Sequence, residues 1–426
     1  MREERVPRGA APRQRCRRSA SPGCAHGWPA GRAPRLQVSK HSTDDSCWIV
    51  VDGEVFDVTS YLDDHPGGAE SILLNAGVDC SEEFNGVHSA DAKALLKKFR
   101  IGALAGAAPG AAATPVAAAA EAVLAEVREL RPPPPPPPAP PVTSAAAAVS
   151  AADAALAAAP VTLADPRVRY DLPLVSSARL SRDTLLMRFG LPSAAHRVGL
   201  PCGKHVFLFA DIGGEGVARA YTPLSSDRDL GRLEMLIKVY WAGEHPAFPA
   251  GGKMTQHLAS LKPGDTISVK GPMGKFEYTG RGSFLLNRRP GAAKWLSFIA
   301  GGSGITPCYA VIREVLSDPS DATRLALLYA NKAEGDVWLR RELDALAAAH
   351  PDRFHVRYVL EQPPPGWTGS SGRVTTDMLA QHLLPPGPES LALMCGPPPM
   401  LELAVLPGLR ALGYQRPGGA EDIVVF

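Results

Sequence analysis

Two histidines carry the first chemical signal in this chain. His65 is followed directly by Pro66, Gly67 and Gly68, and His88 lies 23 residues further on. Proline fixes its own φ and paired glycines admit close backbone approach, so the imidazole is held on a stiff backbone beside something flat and bulky. The stretches "ILLNAG" and "EEFNG" between the two histidines are apolar enough to wall a pocket. Two neutral imidazoles facing each other across such a gap fill both axial positions of a haem iron. With no open position, oxygen chemistry is disfavoured and electron transfer favoured. Either histidine alone is more often a satisfied surface residue than a ligand.

Three further clusters point to nucleotides. In "RAYTPLSS" (219–226), Arg219 offers a planar fork to a pyrophosphate, Tyr221 a ring to stack on an isoalloxazine, and Thr222 a hydroxyl or amide for its polar edge. On its own that pattern reads better as a cross-strand pair. "HPAFPAGGKMTQHL" is a glycine-rich turn opening a helix, whose free N–H groups, with Lys253 and Thr255, suit a phosphate. "AGGSGITP" (300–307) lies between a buried strand and a helix, where Gly301, Gly302 and Ser303 let the backbone approach a pyrophosphate or a nicotinamide. The common dinucleotide fingerprint also needs an acid ~20 residues on. None is suitably placed, since Asp336 is 34 residues after Gly302.

The elements that must hold these groups divide the chain into five parts. Residues 1–37 are rich in Arg, Pro and Gly without periodicity and read as a disordered leader. Residues 38–102 read as a small α+β domain, with a hairpin at Asp52-Gly53 and short helices at "AESILLNAG" and "SADAKALLKKF". Residues 103–160 are nearly all Ala and Pro, apart from "AEAVLAEVREL", a possible helix. Pro132–Pro138 would form a stiff rod of ~20 Å, so this part reads as a tether. Residues 161–290 hold short strands with Gly/Pro turns, the mark of an antiparallel β-barrel. Residues 291–426 alternate strand and helix, which implies an α/β parallel sheet with ligands at the carboxyl ends of its strands. The fold class expected is therefore multidomain α+β.

Composition narrows the function. The chain has 426 residues and a net charge of +2, but the first 35 residues hold nine Arg against two acids. The remainder is slightly acidic, which gives no case for nucleic acid. Seven cysteines without CxxC spacing fit a reducing compartment. No uncharged run of eighteen strongly apolar residues is present, so no membrane span is expected. Glu3 and Glu4 argue against an organelle-targeting leader, leaving a cytoplasmic location.

Taken together, Trp48, Asp57, Tyr61, His65-Pro66-Gly67-Gly68 and His88 resemble the cytochrome b5 family across Ser39–Gly102. That resemblance implies His65 and His88 as ligands of a b-type haem iron. "RAYT", "IKVYW", "GGKMT" and "GPMGKFEY", in this order, resemble the NADH–cytochrome b5 reductase branch of the ferredoxin-reductase-like flavoproteins. The likeness implies that FAD is held by Arg219, Ala220, Tyr221, Thr222, Ile237, Lys238, Val239, Tyr240, Phe248, Lys253, Met254 and Thr255. For NADH it implies Gly301, Gly302, Ser303 and Thr306, with Thr306 touching the flavin. Asn331 and Asp336 of "N-x-x-E-x-D" would hold the adenosine side, where an acid repels a 2′-phosphate and favours NADH. "CGPPPM" would set Cys395, Gly396, Pro397 and Met400 beside the nicotinamide, with Phe426 covering the ring. Thr222, Lys238 and Cys395 form the implied catalytic set.

The order of domains, with "SKHSTDDSCW", "EYTGRGSF" and the ending "VVF", resembles the carboxyl-terminal half of eukaryotic assimilatory nitrate reductase. Electrons would run from NADH through FAD to the haem, and onward to a molybdenum-pterin domain. The 37 residues before Val38 are too few for such a domain, so the chain as written is expected to be a monomer that does not itself reduce nitrate. Lys275 departs from the pattern, standing where a histidine is usual. Two rivals stay open: a cytochrome b5 fusion serving lipid desaturation or another oxidase, and a haem-binding adaptor that recruits partners through its proline run.

Overall fold

A computed structural model describes residues 32–62, 64–65, 68–105, 156–244, 249–414 and 422–426. The first module is a five-stranded sheet in the order β1-β5-β4-β3-β2. Its strands are β1 (Arg32–Ala33), β2 (Ser42–Thr43), β3 (Ser46–Val51), β4 (Glu54–Asp57) and β5 (Arg100–Leu104). Its helices are α1 (Arg35–Val38), α2 (Ala69–Leu73), α3 (Ser81–Val87) and α4 (Ala90–Leu96). Asp52 and Gly53 join β3 to β4 with φ of 51° and 76°, the two positive values that a tight hairpin requires.

The run "CWIVV" is buried on both faces of β3 and must be covered twice. Cys47, Ile49 and Val51 pack with Phe56, Leu62 and Ala69 on the side of the helices. Trp48 and Val50 pack with Ala33, Val38, Val55 and Leu104 on the other. This second face corrects the expected leader boundary. Residues 32–37 are part of the fold, because β1 pairs with β5 and Ala33 fills the floor under Trp48. The proline run and the segment "AEAVLAEVREL" lie outside the described residues.

The second module winds six antiparallel strands around one core. They are β6 (Tyr170–Ser181), β7 (Thr184–Gly190), β8 (His205–Asp211), β9 (Gly216–Tyr221), β10 (Arg232–Lys238) and β11 (Thr266–Met273). Their order is β10-β7-β6-β11-β8-β9. All six contribute to a core that includes Leu172, Met187, Leu208, Val217, Met235 and Val269, and helix α5 (Lys253–Ser260) plugs it with Met254 and Leu258. A small meander follows, β12 (Phe276–Gly280), β13 (Ser283–Leu286) and β14 (Arg289–Ala292).

The third module is a six-stranded parallel sheet. Its strands are β15 (Trp295–Gly301), β16 (Arg324–Asn331), β17 (Phe354–Leu360), β18 (Ser370–Ser371), β19 (Ser390–Cys395) and β20 (Ile423–Val425). Helices α6 (Ile305–Ser317), α7 (Arg340–Ala349) and α8 (Thr376–His382) connect them. The order β18-β17-β16-β15-β19-β20 reverses direction between β15 and β19, and a crevice at that switch point is where such sheets bind ligands.

The second and third modules share a core in which Phe276, Tyr278 and Phe284 pack with Ile305, Val311 and Tyr329. Three polar latches reinforce it. Trp338 Nε1 donates to Thr184 Oγ1 at 3.1 Å. Tyr278 donates to the buried Asp321 at 2.5 Å. Lys238 Nζ sits between Asp183 at 2.9 Å and Asp336 at 3.1 Å.

Candidate functional site

His65 and His88 meet as the sequence requires. Their ring centroids are 5.9 Å apart and their planes are tilted by 40°. The Nδ1 of His65 bonds the Gly68 carbonyl at 3.0 Å and that of His88 bonds the Phe84 carbonyl at 3.0 Å. A ring nitrogen tied to a carbonyl fixes the tautomer with its proton there, which frees Nε2 of each ring to act as a metal ligand. Burial lowers both pKa values, so both rings are neutral at physiological pH, as ligation needs. Phe84 stacks on His88 at 4.2 Å, and Ile72, Leu73 and Phe99 are partly buried around the same core. The donor set and its apolar surroundings fit a bis-histidine haem. Pro66 and Gly67 lie outside the described residues.

On the second module, Arg219, Ala220 and Tyr221 form the end of β9, and Thr222 follows it. Arg219 is exposed, and its Nη1 donates to the carbonyls of Ala218 and Gly86, each at 2.7 Å. Burial pushes the Tyr221 phenol up, so it stays protonated. Helix α5 begins after Gly252 with no side-chain cap, leaving its first N–H groups available to an anion. Lys253 beside it pairs with Glu215 at 2.5 Å, and Tyr240 is 52% exposed next to the same turn. Thr255 is nearly buried and accepts from the Tyr240 N–H at 3.2 Å. Ile237, Val239 and Met254 are core residues, so any cofactor contact they make runs through backbone atoms. Phe248 lies outside the described residues. An exposed guanidinium, an uncapped helix start and a part-exposed tyrosine on adjoining turns fit a flavin nucleotide.

On the third module the two glycine loops touch across the switch point. A Cβ on Gly304 would stand 2.3 Å from the Cys395 carbonyl oxygen, and one on Gly396 would stand 3.0 Å from the Gly301 nitrogen. A Cβ on Gly301 would meet Pro397 and Met400 at 2.8 Å. Gly302 has φ of 53°, and its carbonyl accepts from the Tyr329 hydroxyl at 3.0 Å. Thr306 Oγ1 donates to Ser303 O at 3.3 Å. Cys395 ends β19, and burial pushes its thiol up to about 11. Phe426 meets Phe276 edge to face at 5.7 Å, tying the last residue to the flavin-side meander. Asn331 ends β16 at 6% exposure, and among the described residues neither of its amide atoms has a hydrogen-bond partner. A buried amide left unmatched at the carboxyl end of a parallel strand fits a nucleotide ligand. Asp336 is turned to Lys238 and also accepts from the Ala333 N–H at 3.1 Å.

Three family models match the chain. Residues 35–105 match the cytochrome b5-like heme/steroid binding domain, 171–278 the oxidoreductase FAD-binding domain and 298–405 the oxidoreductase NAD-binding domain. The chain is 50% identical over 383 residues to an NADH nitrate reductase of Volvox carteri, covering 89% of this chain and 41% of that protein. An NADH nitrate reductase of Oryza sativa is 47% identical, over 92% of this chain and 40% of that protein. The crystal structure of the cytochrome b5 reductase domain of Ulva prolifera nitrate reductase superposes with a TM-score of 0.59 at 40% identity. That superposition covers 62% of this chain and 99% of that domain.

The chain belongs to the NADH nitrate reductase family. It spans about 40% of the length of these two curated relatives and corresponds to their haem, FAD and NADH part. It is an NADH-dependent oxidoreductase with haem, FAD and NADH as its cofactors. Among the described residues no helix is long and apolar enough to cross a membrane. Lys275 lies where the haem domain meets the flavin module: a Cβ on Gly68 would be 2.8 Å from Lys275 Cβ.

Sequence reasoning missed several residues around the site. Trp338 joins the third module to the second, and Asp183 holds the Lys238 that reaches across to Asp336; neither belongs to a motif. His205 starts β8 beside Gly274, and burial with the nearby Lys204 charge lowers its pKa to about 4. The motif "GKHVFL" contains it, and the histidine at a strand start was the available signal. Glu83 was missed because "EEFNG" reads as a pocket wall and not as a helix whose acid pairs with another domain.

Proposed function

We propose that this chain is the electron-supply part of a nitrate-reducing enzyme, drawing on NADH and delivering single electrons from its haem to a molybdenum-pterin domain. Bound FAD supplies the step from a two-electron hydride to one-electron transfers, and bound haem takes those electrons singly. The observation that carries the reading is the facing pair His65 and His88, each with Nδ1 tied back and Nε2 free, on a chain that also holds flavin and nicotinamide modules.

Position supports the following roles. His65 and His88 hold the iron. Arg219, Lys253 and the start of α5 hold the FAD phosphates, and Tyr221 and Thr222 orient its ring. The loops Gly301–Ser303 and Cys395–Pro397 admit the nicotinamide, with Met400 behind them and Thr306 and Phe426 toward the flavin. Cys395 stays a neutral thiol at physiological pH and serves as a wall of that pocket rather than as a nucleophile. Asn331 faces the adenosine end, while Asp336 and Lys238 hold the two nucleotide modules in register. Hydride transfer needs no acid–base side chain, so orientation and exclusion of water are the protein's contribution.

The chain reconstituted with haem and FAD is expected to oxidise NADH with ferricyanide. Given a separately produced molybdenum-pterin domain of a relative, it is expected to form nitrite from nitrate. NADH oxidation that never yields nitrite in that mixture would refute the nitrate assignment.

A further inference from the structure

We propose that Glu83, Arg169 and Lys270 form a charge lock that docks the haem domain on the outer face of the flavin barrel, in the position from which the haem is reduced. The inference rests on the electron path proposed above, and it starts from strand alternation. On β11, Ile267 and Val269 point into the barrel core, so Lys270 points outward. On β8, Val206 and Leu208 point inward, so Phe207 and Phe209 point outward. The outer face of an antiparallel sheet is ordinarily polar and wet. Here Lys270 is 3% exposed and Phe209 8%.

The haem domain covers Lys270, and Arg169 lies over Phe209. Lys270 Nζ lies 3.2 Å from Asn75 Oδ1 and 3.4 Å from Glu83 Oε1. Arg169 donates to the same Glu83 oxygen at 3.0 Å while its guanidinium lies 4.1 Å from the centre of the Phe209 ring. Burial alone would raise the Glu83 pKa, but Lys270, a backbone hydrogen bond and Arg169 together outweigh it and hold the carboxylate below its usual range. An outlying pair, Arg288 with Asp44 at 3.0 Å, is exposed and adds little.

The segments in contact are the ones that carry the histidines. Glu83 is on α3, and that helix ends at His88. Between them Gly86 offers its carbonyl to Arg219, and a Cβ there would stand 3.1 Å from the Ala218 nitrogen. The turn after His65 brings Gly68 against Lys275. The barrel strand beneath α3 is β9, the strand of Arg219, Ala220 and Tyr221. The lock therefore sets the histidine-bearing rim of one domain on the flavin-side strand of the other. Once docked, Lys270 is a buried cation whose compensation depends on Glu83, so the pair is sensitive to loss of either partner.

Charge reversal tests this in the full chain. Glu83→Arg is expected to slow NADH-driven haem reduction at least about tenfold at ~0.15 M salt. Haem content, the haem absorption bands and NADH–ferricyanide turnover should stay as they are, and small-angle scattering should show a larger radius of gyration. Arg169→Glu with Lys270→Glu should copy the defect, and all three changes together should restore the rate. An unchanged haem reduction rate and radius of gyration in Glu83→Arg would overturn the lock. So would a slow rate that the full charge swap fails to restore, or loss of haem from Glu83→Arg. Haem that NADH never reduces in the unmodified protein would contradict the functional reading instead, and the scattering comparison then decides the dock by itself.

Discussion

At Gly304 a single methyl group probes the nicotinamide side. Its Cβ would lie 2.3 Å from the Cys395 carbonyl oxygen, which is backbone and cannot swing aside. Gly304→Ala is expected to lower stability by about 1–3 kcal/mol, as overpacking does. Thermal unfolding checks the stability, and a raised KM for NADH would show that the two loops have been pushed apart. The motif that contains it, "AGGSGITP", was legible because it has a mechanical reason to be glycine-rich, although Gly304 itself was not singled out. The histidine pair was legible because His65 is followed by Pro66, Gly67 and Gly68, with a second histidine 23 residues on. Asp183, Trp338 and Glu83 were not, because each acquires its role only from a partner distant in sequence, at 55, 154 and 86 or more positions.

Among elements, the junction of barrel and sheet is held by the polar latches over a shared apolar core. Removing the hydroxyl in Tyr278→Phe leaves the buried Asp321 and the Gly282 N–H short of a partner. The expected cost is about 1–3 kcal/mol, read from urea unfolding at neutral pH. The Lys238 latch adds a pH dependence. Burial works against the charge of Asp183, yet Lys238 outweighs it and holds that carboxyl below its ordinary value of 3.8. Its stabilisation is complete above that value and drains away as pH falls through the lower folded pKa. Burial likewise opposes the Lys238 charge, but Asp183 and Asp336 raise its pKa, so its share is lost only as pH rises past 10.5 and beyond. Lys238→Met should therefore destabilise the protein at pH 7 and do so progressively less as pH falls below 3.8, as melting curves across an acid series would show. A cost that stayed constant down the whole acid series would refute this assignment.

The strands and helices of the sheet module were readable because alternating buried strands and amphipathic helices have different periods. The start of the haem domain was misjudged for a local reason. Two residues of strand and one turn of helix, Arg32 to Val38, have no periodicity to read, and only the double-sided burial of β3 demands them. Helix α3 was also hidden, since "SEEFNGV" contains a glycine and a β-branched residue that weaken a helical reading.

For the whole molecule, the domain order expresses a sequence of electron carriers, and both the haem pair and the dock bear on its last internal step. That step is tested most directly by mixing the fully loaded chain with NADH without oxygen and following the haem bands by stopped flow. The unmodified protein is expected to show flavin absorbance falling first and the haem bands moving to their reduced positions afterwards. His65→Ala and His88→Ala should lose the haem while their flavin is still reduced by NADH. Either variant keeping its pigment and still passing it to the reduced form would contradict the account.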